Sequence, residues 1–510
     1  MDRQEILTSI KTHSPTVLIV GGGINGVGTF RDLTLQAVDT LLIDRGDFCS
    51  GASAASSRMA HGGIRYLENG EFRLVREAVQ ERNRMIQNAP SLVKPLPTTI
   101  PIFKTFSGLL NAPLKFLGSL EKPSERGGLI IKVGLIFYDA FTGKTRAVPR
   151  HVFDGRQSAL KKYPRLNPAI RYAATYYDGI LLSPERFTIE LLLDAEKEGG
   201  HARALNYVSL VKVNGDKVTL KDEVTGSMYD VQPQLIINAA GPWIDGTNRT
   251  LGLSTQYVGP TKGSHLVLDN PELRQAIGDH EFFFENKDGR LVLIFPLFDK
   301  VMIGTSDLPI EDPDSARCTE NEVDYFIEMV GHVFPGIKVS REQIVFRFSG
   351  VRPLAYTKAK NAGQITRDHH IQEDKLGNIP VYSLVGGKWT SFRAFSEQAT
   401  DRALAFLGWQ RKTDTKSLPI GAGNTAALIK TDPHYTRGEI GEMAKREKIV
   451  HLDDLLLRRT LLGYLGQLTF PLVDELTNAL GDALGWAGTQ KSAEKQRALE
   501  ILADRHGVRL

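Results

Sequence analysis

Between residues 60 and 75 the chain reads "AHGGIRYLENGEFRLV". An imidazole at His61 stands four positions before a guanidinium at Arg65, with Gly62 and Gly63 between them and the phenol of Tyr66 alongside. Histidine, with an unperturbed pKa of about 6.5, is the natural proton acceptor near neutrality. The glycines let backbone lie against a flat or charged ligand. His265, in "TKGSHLVL", is the second candidate base. Arg352 in "FSGVRPL" and Arg367 in "ITRDHH" join Arg65 as cations for an anionic substrate, because arginine forks match phosphate oxygens in a bidentate way. Thr305 in "GTSD" and Tyr66 offer hydroxyls, and Lys388 offers an ammonium. Taken singly, His61 reads as a polar turn residue and each arginine as a surface or ion-pairing group. Together, a candidate base and several cations are the equipment for moving a proton on an anionic substrate.

These groups need a scaffold, and residues 16 to 47, "TVLIVGGGINGVGTFRDLTLQAVDTLLIDRGD", lay one out as strand, glycine loop, helix and second strand. Val17 to Val20 form a continuous apolar run suited to a buried parallel strand. Gly21 makes the tight turn, Gly23 admits a pyrophosphate, and Gly26 allows close packing of the helix whose positive N-terminus faces that anion. Asp44 ends the second strand, where a carboxylate accepts hydrogen bonds from a ribose. A NAD domain would continue with alternating strands and helices, whereas "FCSGASAASSRMAHGGIRYL" is small, polar and glycine-rich. That favours FAD, buried along its length, with Ser56 and Ser57 available to bond phosphate or ring. "PQLIINAAGPWID", residues 233 to 245, returns a strand to the nucleotide sheet. "PVYSLVGGKWTSFRAFSEQAT", residues 380 to 400, supplies another strand, Gly386 and Gly387, and a helix beginning near Thr390 whose N-terminus suits the negative charge of a reduced flavin ring. Asn25, Gly62, Val208, Gly241, Gly350, Gly387, Lys388, Trp389 and Thr390 complete the expected cofactor contacts.

The ordered motifs "GGGINGVG", "HGGIRYLENGEFRLVREA", "NAAGPW", "KGSH", "GTSD", "FSGVRPL", "ITRD", "GGKWTSFR" and "DLLLRRT" together resemble the FAD-dependent glycerol-3-phosphate dehydrogenase family, the aerobic, quinone-linked type. The resemblance runs from residue 21 to about residue 460. It implies an α/β, Rossmann-like FAD-binding domain of the amino-acid oxidase superfamily type, a substrate domain on an antiparallel sheet, and a C-terminal helical cap. It also implies oxidation of sn-glycerol 3-phosphate to dihydroxyacetone phosphate by hydride transfer from C2 to the flavin N5, with electrons passed to membrane quinone. Two alternatives stay open. One is a related FAD oxidase that uses oxygen or acts on another hydroxy or amino acid. The other is an FAD-binding scaffold without catalysis. A carboxylate substrate needs one arginine clamp, so Arg65, Arg352 and Arg367 together favour phosphate.

A chain of 510 residues suggests two or three domains. The expected cofactor-binding domain is discontinuous, from 1–90, 190–250 and 345–405. The substrate-binding domain takes 91–189 and 251–344, and the helical domain 412–510. "EFRLVREAVQERNRMI" is expected as a helix burying Phe72, Val75, Val79 and Ile86. A net charge of +4 over so large a surface gives no case for nucleic acid, and no metal site is expected. Two cysteines fit a reducing compartment, and the chain has neither a signal-peptide pattern nor a run of about 20 apolar residues, so the default location is the cytoplasm. Residues 102 to 138 mix Phe, Leu and Ile with Lys104, Lys115, Lys122, Arg126 and Lys132, as a segment lying in a membrane interface does, although a buried hairpin with helices fits equally well. The resemblance tips this toward peripheral attachment to lipid on the cytoplasmic face of the inner membrane. A homodimer is compatible with these features.

Overall fold

The computed structural model describes residues 1–64, 71–105, 127–141, 146–286, 288–357, 368–421 and 429–510. Its first sheet has six strands, in the order His370–Leu376, Ile379–Val385, Leu235–Asn238, Val17–Val20, Thr40–Ile43 and Ala202–Leu205. All neighbours run parallel except the hairpin pair at the 370–376 edge. Strands covered on both faces need no polar alternation, which is why "VLIV", "TLLI" and "LIIN" are apolar throughout. Helices Ile24–Leu35, Pro184–Glu196 and Phe392–Leu407 cover one face. The N-terminal helix and a three-stranded sheet of residues 208–231 cover the other.

The second sheet has ten strands, among them Val93–Ile102, Tyr172–Leu181, Thr261–Leu268, Glu281–Glu285, Leu291–Leu297 and Lys300–Gly304. It is mixed: pairing is antiparallel except between Glu281–Glu285 and Val93–Ile102. Strand Ile344–Arg352 pairs along the length of Thr261–Leu268, and Met59–Ala60 pairs with Tyr172–Leu181. Residues 344–352 and 59–60 therefore lie in the large sheet, whereas the sequence boundaries put 345–405 and 1–90 in the cofactor unit. Alternation in "IVFRFSGVR" marks a strand but does not say which sheet it joins. Helix Pro184–Glu196 packs onto Ile24–Leu35.

The C-terminal helices share one core with the large sheet: Val267, Phe295, Met302, Phe346 and Phe348 pack with Leu452, Leu455, Leu456, Leu476 and Leu502. They cover the face of that sheet that also carries the cavity-lining Leu293, Phe346 and Phe348. Helix Phe72–Asn88 buries Val75 and Val79 as expected, but Phe72 is exposed at its first turn, edge-on to Phe141.

Candidate active site

A cavity of about 1800 Å³ is lined by residues of both sheets, larger than the roughly 300–1,000 Å³ of an ordinary small-molecule pocket and large enough for a dinucleotide with a substrate beside it. Gly21, Gly23, Asn25, Asp44, Ser56, Ser57, His61, Val208, Gly241, His265, Thr305, Gly350, Arg352, Gly387, Lys388, Trp389 and Thr390 all line it. Residues spread over nearly 370 positions thus meet in one space. Arg65, Tyr66 and Arg367 lie outside the described residues.

The glycine loop is built for close approach. Gly21 has φ +112°, and a Cβ there would lie 2.5 Å from the Ala239 carbonyl oxygen. A Cβ at Gly26 would lie 1.8 Å from the Gly21 carbonyl oxygen, so only glycine lets helix Ile24–Leu35 start against the loop. Gly26 acts from behind the wall and does not line the cavity. The Asp44 carboxylate accepts from the Gly22 N–H at 2.6 Å and the Gly46 N–H at 2.8 Å. Burial, outweighing these two bonds, raises its pKa to about 6. Each oxygen keeps a lone pair for a ribose hydroxyl.

The polar atoms of this region fit FAD. The Asn25 Oδ1, Trp243 Nε1 and His265 Nδ1 atoms are buried without a hydrogen-bond partner among the described residues, and all three residues line the cavity. Buried polar atoms left open in this way are what a polar ligand satisfies. Gly386 and Gly387 turn with φ +77° and +94° into helix Phe392–Leu407, which starts two residues after Thr390. Trp389 Nε1 donates to the Ser53 carbonyl at 3.0 Å, tying this turn to the small-residue loop.

Arg352, also on the cavity wall, is held by its neighbours. Its Nη2 donates to Thr305 Oγ1 and the Ser306 carbonyl, each at 3.0 Å, and Nη1 donates to Asp307 at 3.2 Å. It lies over Gly263, where a Cβ would come within 2.1 Å of Nη2. Lys388 lies in the electrostatic reach of Glu77 and His369. His265 stacks on Phe348 at 5.0 Å between ring centroids, and its Nε2 is 3.0 Å from Ser57 Oγ. Burial, reinforced by the Arg352 charge, lowers its pKa to about 3, so it stays neutral and is a weak base. His61 lines the cavity, and its carbonyl accepts from Thr390 Oγ1 at 3.0 Å. Gly62 does not line it: a Cβ there would meet Tyr138 Oη at 2.3 Å and Val79 at 2.6 Å, so its glycine answers a crowded interior, and Gly63 is the residue facing the cavity.

Sequence inspection missed several lining residues. Asp178 and Tyr176 come from a strand whose period-two pattern announces nothing chemical. Arg458 and Arg505 come from the C-terminal helices and Tyr464 from a turn between them. The "DLLLRRT" motif was a usable signal for Arg458: Arg459 forms a two-pronged pair with Asp47 at 2.7 and 2.9 Å, and Arg458 Nε reaches Asp47 at 2.5 Å. Burial alone would raise the Asp47 pKa, but the two guanidiniums outweigh it and hold it at about 2. Tyr464 donates to the Ala54 carbonyl at 3.2 Å and lies under the Arg58 guanidinium, so the helical unit braces the small-residue loop at two points.

Comparison with known proteins agrees with this architecture. The family model described as FAD dependent oxidoreductase matches residues 16–382. A glycerol-3-phosphate dehydrogenase of Synechocystis sp. is 34% identical, over 87% of this chain and 79% of its own. A D-erythritol 1-phosphate dehydrogenase of Brucella abortus is 29% identical, over 80% of this chain and 78% of its own. The crystal structure of a glycerol-3-phosphate dehydrogenase from Bacillus halodurans complexed with FAD matches with a TM-score of 0.73 at 20% identity, covering 98% of this chain and 97% of that one, a likeness of fold.

Proposed function

Because the chain belongs to the FAD-dependent oxidoreductase family, we infer that it oxidises the secondary alcohol of sn-glycerol 3-phosphate to the ketone of dihydroxyacetone phosphate. The observation that carries this is that Arg352, Lys388 and His61 line the same cavity as the nucleotide-binding glycines Gly21 and Gly23.

The glycine loop with the start of helix Ile24–Leu35 would hold the pyrophosphate, Asp44 the ribose, and residues 51–57 with Gly387–Thr390 the ring. Bound FAD supplies a two-electron acceptor. The protein's own groups do the rest. Arg352, oriented by Thr305, Ser306 and Asp307, presents its fork to the phosphate. His61 takes the hydroxyl proton, and Lys388 adds a positive charge beside the oxygen that loses it. His265, neutral and stacked, orients Ser57.

A longer polyol phosphate is the second reading, favoured by similarity to the D-erythritol 1-phosphate dehydrogenase. Anaerobic mixing decides between them: glycerol 3-phosphate should bleach the flavin absorbance faster than D-erythritol 1-phosphate at equal concentration. No bleaching by either would overturn the assignment.

Membrane quinone is the onward acceptor in this proposal, reached by peripheral docking. Support comes from helix Gly128–Phe141. Leu129, Val133, Ile136 and Phe137 recur at helical spacing and are 45–53% exposed, while Leu135 and Tyr138 face the core. No helix among the described residues is long and apolar enough to cross a membrane. The paired change Leu129→Glu and Ile136→Glu should abolish flotation with anionic vesicles and slow quinone reduction while leaving flavin bleaching unchanged. Wild-type flotation in the variant would remove this helix from the docking surface.

A further inference from the structure

The peptide bond joining His61 to Gly62 is gripped at both of its polar atoms. The His61 carbonyl oxygen accepts from Thr390 Oγ1 at 3.0 Å. The N–H of the same peptide, on Gly62, is shared between Tyr138 Oη at 2.9 Å and Asp178 Oδ1 at 3.0 Å. Tyr138 itself donates to Asp178 in a short hydrogen bond. Arg82 stands behind both, with Nη1 donating to the Tyr177 carbonyl at 2.7 Å and lying 3.4 Å from Asp178. Four segments of the fold thus meet on one peptide plane: helices Phe72–Asn88 and Gly128–Phe141, strand Tyr172–Leu181, and the turn before helix Phe392–Leu407.

Burial makes this arrangement costly for stability alone. Arg82, Tyr138 and Asp178 are all 2% exposed or less. Apolar side chains of similar volume commonly replace a buried ion pair without loss of stability, so a pair kept at this depth calls for another function. The geometry supplies one. A peptide plane held at its oxygen and its nitrogen can neither flip nor tilt, and the Cα of His61 is attached directly to it. The glycine at 62 is what lets the plane come within reach of Tyr138 and Asp178.

We propose that Asp178, together with Tyr138 and Arg82, is a positioning group for the reaction: it fixes the His61–Gly62 peptide and thereby the direction in which the His61 imidazole enters the cavity. This rests on the assignment of His61 as the base. Misplacing a reacting group by about 1 Å costs up to a hundredfold in rate, so releasing one end of the peptide should slow the proton-transfer step without weakening the phosphate site.

The test uses the FAD-loaded enzyme with Tyr138→Phe, which deletes one hydroxyl, and Asp178→Asn, each alone and combined with His61→Gln. In the wild-type background each change should lower the limiting rate of flavin bleaching by glycerol 3-phosphate about tenfold or more, with FAD content unchanged and KM moved less than about twofold. In the His61→Gln background the same changes should cost less than about twofold, since the group they orient is gone. Equal losses in both backgrounds would overturn the proposal and leave the network a structural one.

A second measurement needs no substrate. Hydrogen exchange at the Gly62 amide, followed by mass spectrometry with fragmentation, should accelerate at least about tenfold in Tyr138→Phe. Unchanged exchange would overturn the proposal. A wild-type enzyme that is not bleached by glycerol 3-phosphate would instead strike at the substrate assignment, leaving exchange to decide on the clamp.

Discussion

Arg352→Ala is the sharpest test of where the substrate phosphate goes. The guanidinium is 23% exposed and its carboxylate neighbour Asp307 is 26% exposed, so the variant leaves no charge stranded in a dry core and should fold. What it removes is a fork whose direction is set by three acceptors: Thr305, the Ser306 carbonyl and Asp307. A hydrogen bond to a charged group contributes about 1.5–3 kcal/mol, which corresponds to a loss of roughly ten- to 150-fold in kcat/KM. The loss should fall mainly on KM, because the phosphate is bound equally in the ground and transition states. Gly263→Ala offers a second route to the same end: its Cβ would stand 2.1 Å from Arg352 Nη2, displacing the fork while keeping its charge, so its defect should lie between wild type and Arg352→Ala. Anaerobic stopped-flow titration with glycerol 3-phosphate reads both variants. A KM within threefold of wild type for Arg352→Ala would refute the phosphate assignment.

Gly26→Ala should yield protein that purifies without flavin colour, because its Cβ would sit 1.8 Å from the Gly21 carbonyl and force the helix start away from the loop; a yellow, stoichiometrically loaded variant contradicts this. Burial, outweighing the hydrogen bond to the Arg347 carbonyl, pulls the His506 imidazole down to about 4, whereas in the unfolded chain it titrates near 6.5. The unfolded state therefore binds the proton first, and the stability this residue contributes is full above pH 6.5 and declines as pH falls toward 4. His506→Phe keeps the ring stacked on Phe346 and removes the titration, so its thermal midpoint should depend less steeply on pH in that window; superimposable slopes would refute the account.

Much of this molecule is legible from local pattern. The "VLIV" strand, the three glycines and Asp44 are contiguous, and each is demanded by backbone sterics or by an anion at a helix start. The same holds for "GGKWT", where the positive φ of Gly386 and Gly387 leads straight into a helix. Legibility fades where a residue's role depends on a partner far along the chain. His265 looked like a candidate base because its type permits it; burial, reinforced by the Arg352 charge, lowers its pKa to about 3 and weakens it as a base. Gly62 looked like a surface for a ligand, and only Tyr138, 76 residues on, places it against the interior instead.

Sequence by itself determined the cofactor class, the strands of the nucleotide-binding sheet and several of the polar groups that line the cavity, because these follow from short segments whose spacing is dictated by the backbone. Tertiary structure alone decided that strand Ile344–Arg352 belongs to the large sheet, that the C-terminal helices brace the cofactor loop through Asp47 and Ala54, and that Asp178 grips the peptide of the candidate base. The physical reason is common to all three. A buried charge or an edge strand is indifferent to the separation of its partner along the chain and answers only to proximity in space, which a linear pattern does not encode.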